Sequence, residues 1–230
     1  MCTSQGAYST LRTLSPVAQH HLKIIWTTRE WSQDRVSAKL LCEKFCVSAS
    51  TASEVLQKLS DRGLVDCSRR CGITLTDAGR TAAVMMARRH RLIATYLADA
   101  LGYSWDEVHD EAEVLEHAVS ELMLARIDAK LGYPSRDPHG DPIPAADGSI
   151  PFLSTRRLSE FGNGEGGRIA RVSDSDSRML RYLADVGLTL DVTVTILERR
   201  DVAGTVTIGL GASNDSIELG NPVAQSIWLI

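Results

Sequence analysis

"SASTASEVLQKLSDRGLVDCSRRCGITLT", Ser48 to Thr76, is the stretch on which the reading of the fold turns. It opens with small hydroxyl residues, Ser48, Ser50, Thr51 and Ser53, which are helix-capping types. Val55, Leu56 and Leu59 then share one helical face, and Gly63 is a helix terminator. LVDCSRRCGITLT reads as two short strands joined by a basic turn, Ser68-Arg69-Arg70, with Gly72 just beyond. Upstream, VSAKLLCEKFCV reads as a short helix with Ala38, Leu41, Cys42 and Phe45 inward. Before that, Ser15 and Pro16 open a first helix, with Val17, Leu22, Ile25 and Trp26 close to helical spacing. Helix, turn, helix and a basic two-stranded wing is the order of a winged helix-turn-helix. Its second helix would bring Ser48, Ser50, Thr51 and Glu54 to base edges and phosphates in a major groove. Arg69 and Arg70, at the wing tip, would reach backbone phosphates.

The totals agree with a globular chain. It has 230 residues, 43% of them hydrophobic and 23% charged, enough to bury a core in one to three domains. No apolar run approaches the ~18 residues of a membrane span, and MCTSQGAYSTLRTLSP has no hydrophobic signal core. A cytoplasmic location without a membrane partner is expected. The net charge of −4 hides an asymmetry: residues 1–80 are net positive and the remainder net negative. An anionic partner therefore meets the first third. The five cysteines, Cys2, Cys42, Cys46, Cys67 and Cys71, are an odd set that argues against a disulfide framework. The equal spacing of Cys42/Cys46 and Cys67/Cys71 suits a metal or redox site, but suits ordinary thiols at least as well.

From Asp77 a long helical pattern runs to Tyr103. SWDEVHDEAEVLEHAVSELMLARIDAKLGY follows as another, opened by Ser104 and Glu107 as a capping box. Residues 133–153 hold five of the seven prolines and read as a linker or an irregular ordered loop. Beyond them GGRIARVSD, VTVTILERR, GTVTIGLG and SIELG alternate as short strands, with MLRYLADVG as one helical piece: a small β-barrel. The expected fold is mainly α with a small β domain. The expected parts are a winged helix-turn-helix (1–76), a helical domain ending in the Pro-rich loop (77–150), and a barrel domain (151–230).

HDEAEVLEHAVS, His109 to Ser120, groups two of the six histidines with carboxylates. On one continuous helix, His109, Glu113, Glu116 and His117 would share an arc of roughly 100°. Val108, Ala112, Leu115, Val119 and Leu122 would take the opposite face. Two carboxylates and an imidazole on one face can converge on a cation, and oxygen and nitrogen donors suit Mn, Fe and Zn. A solvated charged face is the plainer reading of that helix. The placement of His20, His21 and His90 on other amphipathic helices tilts the balance towards metal. His139 alone falls in the Pro-rich loop.

Taken together, SASTASEVLQKLSDRGLV, LTDAGR, RRHRL, WDEVHDEAEVLEHAVS, DPHGDPIP and EGGRIARVSD resemble the diphtheria toxin repressor and manganese transport regulator family of metal-dependent transcriptional repressors. The resemblance runs from about Ser15 to the C-terminus and is nearest to three-domain, manganese-responsive actinobacterial members. It implies a winged helix, a helical metal-binding and dimerisation domain and an SH3-like barrel. It also implies a primary metal site on His20, Glu113, Glu116 and His117. Iron-responsive members have Cys and Met where this chain has Glu113 and His20; manganese-responsive members have Glu and Asp. Glu113 thus follows the manganese pattern and His20 follows neither. A second site is implied on His90 and His109. Ala94 stands there in place of the family's Glu, and Asp176 and Met179 match the positions of the barrel's ligands.

These readings describe a homodimeric, Mn(II)-activated repressor of palindromic double-stranded operator DNA that controls metal-homeostasis genes. Fe(II), Co(II) and Zn(II) are the alternative cations, and Fe(II) the alternative effector. No catalytic residue and no small organic substrate is expected. Two rivals make different demands. A metallohydrolase using the Glu/His cluster needs an open coordination position and a cleft. A thiol-based sensor needs the cysteine pairs to be reactive.

Overall fold

The structure is a computed structural model that describes residues 11, 13–32, 35–68, 72–211 and 215–230. Arg69 and Arg70, expected at the wing tip, and Cys71 and Cys2 lie outside the described residues.

From Pro16 on, three capped helices follow one another among the described residues. Helix α1 (Pro16–Trp31) starts at Ser15, whose hydroxyl accepts from the Ala18 amide, with Pro16 in the first turn. Helix α2 (Ala38–Phe45) is capped by Ser37 and ends at Cys46, in the left-handed region at φ 51°. Helix α3 (Ala49–Asp61) is capped by Ser48, which accepts from the Thr51 amide at 3.2 Å. Strands β1 (Val65–Ser68) and β2 (Gly72–Leu75) pair antiparallel as the wing, with Val65 opposite Leu75. Leu22, Ile25 and Trp26 of α1 bury in one core with Leu41, Leu56, Leu59, Ile73, Met85 and Met86. Ala38, assigned inward by periodicity, points outward instead, and Val17, near helical spacing with the buried residues of α1, is exposed as well.

Helix α4 (Asp77–Leu101) is long, as its periodicity demands. The next pattern is not one helix. Ser104 and Glu107 do bond as a capping box, the Ser104 amide donating to Glu107 Oε2 at 3.0 Å. Residues 105–107, however, are a turn, and helix α5 spans only Val108–Leu115. A turn at 116–118 follows, and helix α6 (Glu121–Lys130) restarts at Ser120, whose hydroxyl accepts from the Met123 amide. The cap at Ser120 was the sequence signal for this restart. Among the described residues no helix is long and apolar enough to cross a membrane.

Strands β3 (Arg156–Arg157), β4 (Gly166–Val172), β5 (Thr193–Arg200), β6 (Thr205–Leu210), β7 (Ser216–Gly220) and β8 (Ile227–Leu229) form an antiparallel sheet. Their order is β3-β8-β4-β5-β6-β7. The four strands that alternate in sequence are β4 to β7; β3 and β8 are too short to show a period. Helix α7 (Ser177–Asp185) and the short α8 (Asn221–Gln225) complete this C-terminal SH3-like domain. Its core holds Ile169, Leu180, Leu183, Val194, Ile196, Val206, Ile208 and Leu219.

The chain divides into two compact units: residues 1–90, 115–124 and 143–150 form one, and 91–114, 125–142 and 151–230 the other. In the second unit, residues 133–142 of the Pro-rich segment are an ordered loop rather than a loose linker. Asp137 accepts from the amides of His139 and Asp141, both at 2.9 Å. Asp141 in turn accepts from Arg171 Nε at 2.5 Å. His139, buried, bonds the Trp105 carbonyl at 2.6 Å. Gly140 sits at φ 90°, and a Cβ there would overlap the Ala170 carbonyl oxygen. Gly140→Ala should therefore lower stability by at least about 2 kcal/mol. The change should appear as a reduced urea midpoint at unchanged m-value; an unchanged midpoint would show that the loop yields without cost.

Candidate metal centre and DNA-facing helix

The 116–118 turn changes the geometry expected of HDEAEVLEHAVS. Helix α5 stops at Leu115, so Glu116 and His117 do not share a helical arc with His109 and Glu113. The first unit holds Glu116 and His117; the second holds His109 and Glu113. Arg89 from α4 steadies the turn, donating to the Glu116 carbonyl at 3.5 Å and pairing with Glu121.

Glu116 is fully buried, an unusual place for a carboxylate. Its Oε2 accepts from Lys23 Nζ and faces His90 Nδ1, each at 2.7 Å. Lys23 and His90 are themselves 3.2 Å apart. Burial pushes the Glu116 carboxyl up, but His90 and then Lys23 outweigh it, so its pKa lies below the ordinary range. The other oxygen, Oε1, is buried and has no hydrogen-bond partner among the described residues. Facing it at 3.6 Å is His117 Nε2.

The orientation of His117 is set from α1. Gln19 donates its side-chain amide to the carbonyls of Leu11 and Leu14, at 2.8 and 3.2 Å. That fixes its Oε1 towards His117 Nδ1, at 2.8 Å. An amide oxygen can only accept, so Nδ1 carries a proton, and Nε2 is the ring nitrogen that faces Glu116 Oε1 and is placed to ligate. Two donors each about 2.0–2.2 Å from a shared ion stand about 3–4 Å apart, which this pair satisfies. The buried, unbonded carboxylate oxygen and the oriented imidazole therefore fit a divalent cation of the Mn, Fe or Zn type.

His20, expected to supply the first-helix ligand, lies edge-on to Phe45 at 4.9 Å, its ring 6.5 Å from that of His117. His21 stacks on Phe45 at 3.9 Å and bonds the Val17 carbonyl; burial lowers its pKa. The roles of Gln19 and Lys23 were missed in the sequence. Neither residue type announces a metal site, and each matters here only through burial and its partner.

In the second unit His109 lies between Asp174 Oδ2, at 3.0 Å from Nδ1, and Glu113 Oε1, at 3.5 Å from Nε2. Burial alone would lower its pKa, but Asp174 and then Glu113 push it up to about 10. Asp176 caps α7 through the Arg178 amide at 2.9 Å and pairs with that guanidinium; Asp174, two residues earlier, is the carboxylate at His109. Met179 packs against the barrel core. His90, which the resemblance assigns with His109 to one site, belongs to the first unit.

On α3, Ser50, Thr51, Ser53 and Glu54 are exposed. Ser48 Oγ bonds both Ser50 Oγ at 2.7 Å and Thr51 Oγ1 at 2.9 Å, and Glu54 pairs with Lys58 at 2.6 Å. The thiols of Cys42, Cys46 and Cys67 are free, and burial with Asp66 raises that of Cys67, which makes it a weaker nucleophile.

Residues 13–73 match the N-terminal DNA binding domain of the iron dependent repressors, and 76–145 match their metal binding and dimerisation domain; 156–230 match the FeoA domain. The iron-dependent repressor IdeR of Mycobacterium tuberculosis is 31% identical over 229 residues, covering 94% of this chain and 98% of that protein. The chain belongs to the iron-dependent repressor family. Among solved structures, a manganese-dependent transcriptional repressor in complex with manganese is 55% identical at a TM-score of 0.89, covering 93% of this chain and 99% of that one. The manganese regulator SloR is 32% identical at 0.80, covering 94% and 99%. As a member of this family the chain is a metal-dependent, DNA-binding transcriptional repressor whose partners are DNA and a second copy of itself. Family members are not enzymes, which sets aside the metallohydrolase reading.

The His109 geometry carries a pH signature in the metal-free protein. Its folded pKa of about 10 stands above the unfolded value, which is about 6.5 for a histidine. A raised pKa means that the stability it contributes is full below about pH 6.5 and is lost as pH rises through about 10. The stability difference between wild type and His109→Gln, from urea unfolding at a series of pH values, should shrink across that window. A pH-independent difference would contradict the pairing with Asp174 and Glu113.

Proposed function

We propose that the chain is a cytoplasmic, Mn(II)-responsive repressor of metal-homeostasis genes, with Fe(II) as the alternative effector. The observation that carries this reading is the buried Glu116 Oε1, without a hydrogen bond, facing the Gln19-oriented Nε2 of His117. A divalent cation held there supplies the positive charge that this carboxylate oxygen otherwise lacks. Glu116 and His117 are the proposed core ligands, with His20 as the first-helix candidate. Glu113 is the proposed selectivity residue, because a carboxylate offers hard oxygen where a thiol would favour softer ions. His109, Asp174 and Glu113 form a proposed second metal position. The solved manganese-dependent relative, at more than half identity, supports manganese over iron.

Gln19 bonds His117 and shares α1 with Leu22 and Ile25, which pack in one core with Leu56 and Leu59 of α3. Ordering the 116–117 turn against α1 therefore orders the helix that presents Ser48, Ser50, Thr51 and Glu54. In the dimer two such helices meet a palindromic operator whose half-sites lie one turn, about 34–36 Å, or a multiple apart. Arg69 and Arg70 are proposed as phosphate contacts. The division at 76/77 and 150/151 into DNA-binding, metal-binding and barrel domains belongs to the same reading.

Glu116→Gln tests it. The variant should remain folded and dimeric yet lose metal-dependent operator binding at Mn(II) concentrations that saturate the wild type, as read by anaerobic fluorescence anisotropy. Retained metal dependence would show that the ligand set is misassigned. Glu113→Cys replaces oxygen by a thiol that must deprotonate to bind. The ranking of metals in the same assay should move away from Mn(II) towards Fe(II), Co(II) and Zn(II). An unchanged ranking would remove Glu113 from metal choice.

A further inference from the structure

Lys23 sits where a lysine is rarely found. It is 4% exposed, on the inward side of α1, with its ammonium 2.7 Å from Glu116 Oε2 and 3.2 Å from His90 Nδ1. A buried carboxylate needs a compensating charge, and Lys23 supplies a full one from within the chain. We propose that Lys23 is a built-in competitor for the metal: its ammonium neutralises Glu116 in the metal-free protein and so raises the metal concentration at which the site loads.

The inference rests on the reading that Glu116 and His117 hold the metal, and it turns on how the two carboxylate oxygens are used. Oε2 carries Lys23 and His90, while Oε1 faces His117 Nε2. A divalent cation at Oε1 would share one carboxylate with an ammonium already on the other oxygen. Two like charges around one buried carboxylate oppose each other strongly, because low-dielectric surroundings screen them poorly. Part of the charge that Glu116 offers a metal is already spent on Lys23. Arg89 does not substitute for Lys23, since its guanidinium is engaged with Glu121 and the Glu116 carbonyl.

A purely positioning role for Lys23 makes the opposite prediction. If its hydrogen bond only aims Glu116, removing it disorders the carboxylate and weakens metal binding. If it competes, removing it tightens metal binding, because His90 Nδ1 still holds Oε2. The sign of the change separates the two.

The test uses full-length, metal-stripped protein without DNA, titrated with Mn(II) while free Mn(II) is read by electron paramagnetic resonance. The sites that count are those lost in Glu116→Gln. At those sites Lys23→Gln and Lys23→Met should bind Mn(II) tighter by roughly tenfold or more. Lys23→Arg, which keeps the charge, should stay within about threefold of wild type. Thermal melts give an independent reading: Lys23→Met should melt lower than wild type without metal and gain more from saturating Mn(II). Unchanged or weaker Mn(II) binding in both neutral variants, with native circular dichroism, would overturn the proposal while leaving the Glu116 site intact. If Glu116→Gln instead loses no Mn(II) sites, the ligand assignment fails, and the competitor role falls with it.

Discussion

A single carboxylate, fully buried at Glu116, constrains the residues around it. Removing a charge from water costs several kcal/mol unless partners replace the solvent. Here Lys23 and His90 converge on one of its oxygens from two helices, at 2.7 Å each. The turn that carries it is held by Arg89 through the Glu116 carbonyl. The neighbouring His117 is oriented by Gln19, whose amide is tied to Leu11 and Leu14. Helix α1, the start of α6 and the middle of α4 thus all have polar side chains committed to one short turn. The price of one buried charge is a network that can have few alternative arrangements.

That commitment has a mechanical consequence within the first unit. The polar side of α1 holds Gln19 and Lys23, while its apolar side packs Leu22, Ile25 and Trp26 among the residues that seat α3. Cores at crystal-like density transmit displacement rather than absorb it. A cation held at the proposed Glu116–His117 site would settle α1 through Gln19, and through the core the helix with Ser48 and Thr51 on its exposed face. Linkage requires the reverse as well: DNA that selects the ordered arrangement must raise metal affinity by the same factor.

Much of the fold was legible in the sequence because capping and periodicity are local. Ser15 and Ser48 each cap a helix, and the alternation of VTVTILERR and GTVTIGLG marks β5 and β6. The misreadings arose where tertiary contacts override local pattern. Helix α5 ends at Leu115 although its periodicity runs on, because the Glu116 side chain is drawn into a buried cluster and Ser120 begins a new helix. The pair Glu116 and His117 was legible, but not the helical arc used to join it to His109 and Glu113. Gln19 and Lys23 gave no signal, since an amide and an amine gain their roles only from burial. On the barrel side the ligand-type carboxylate beside His109 is Asp174, two residues from Asp176; a cap at a helix start and a partner in space cannot be told apart from spacing alone.

In the proposed site the metal bridges two neighbouring residues of the turn after α5, Glu116 and His117, and α1 is tied to that turn through Gln19, which orients His117. Anomalous diffraction at the manganese edge, from crystals of the full chain grown with Mn(II), tests this most directly. The expected result is an anomalous peak within bonding distance of both Glu116 Oε1 and His117 Nε2. A chain that still binds DNA only with Mn(II), yet shows its manganese elsewhere and no peak between these two atoms, would contradict it.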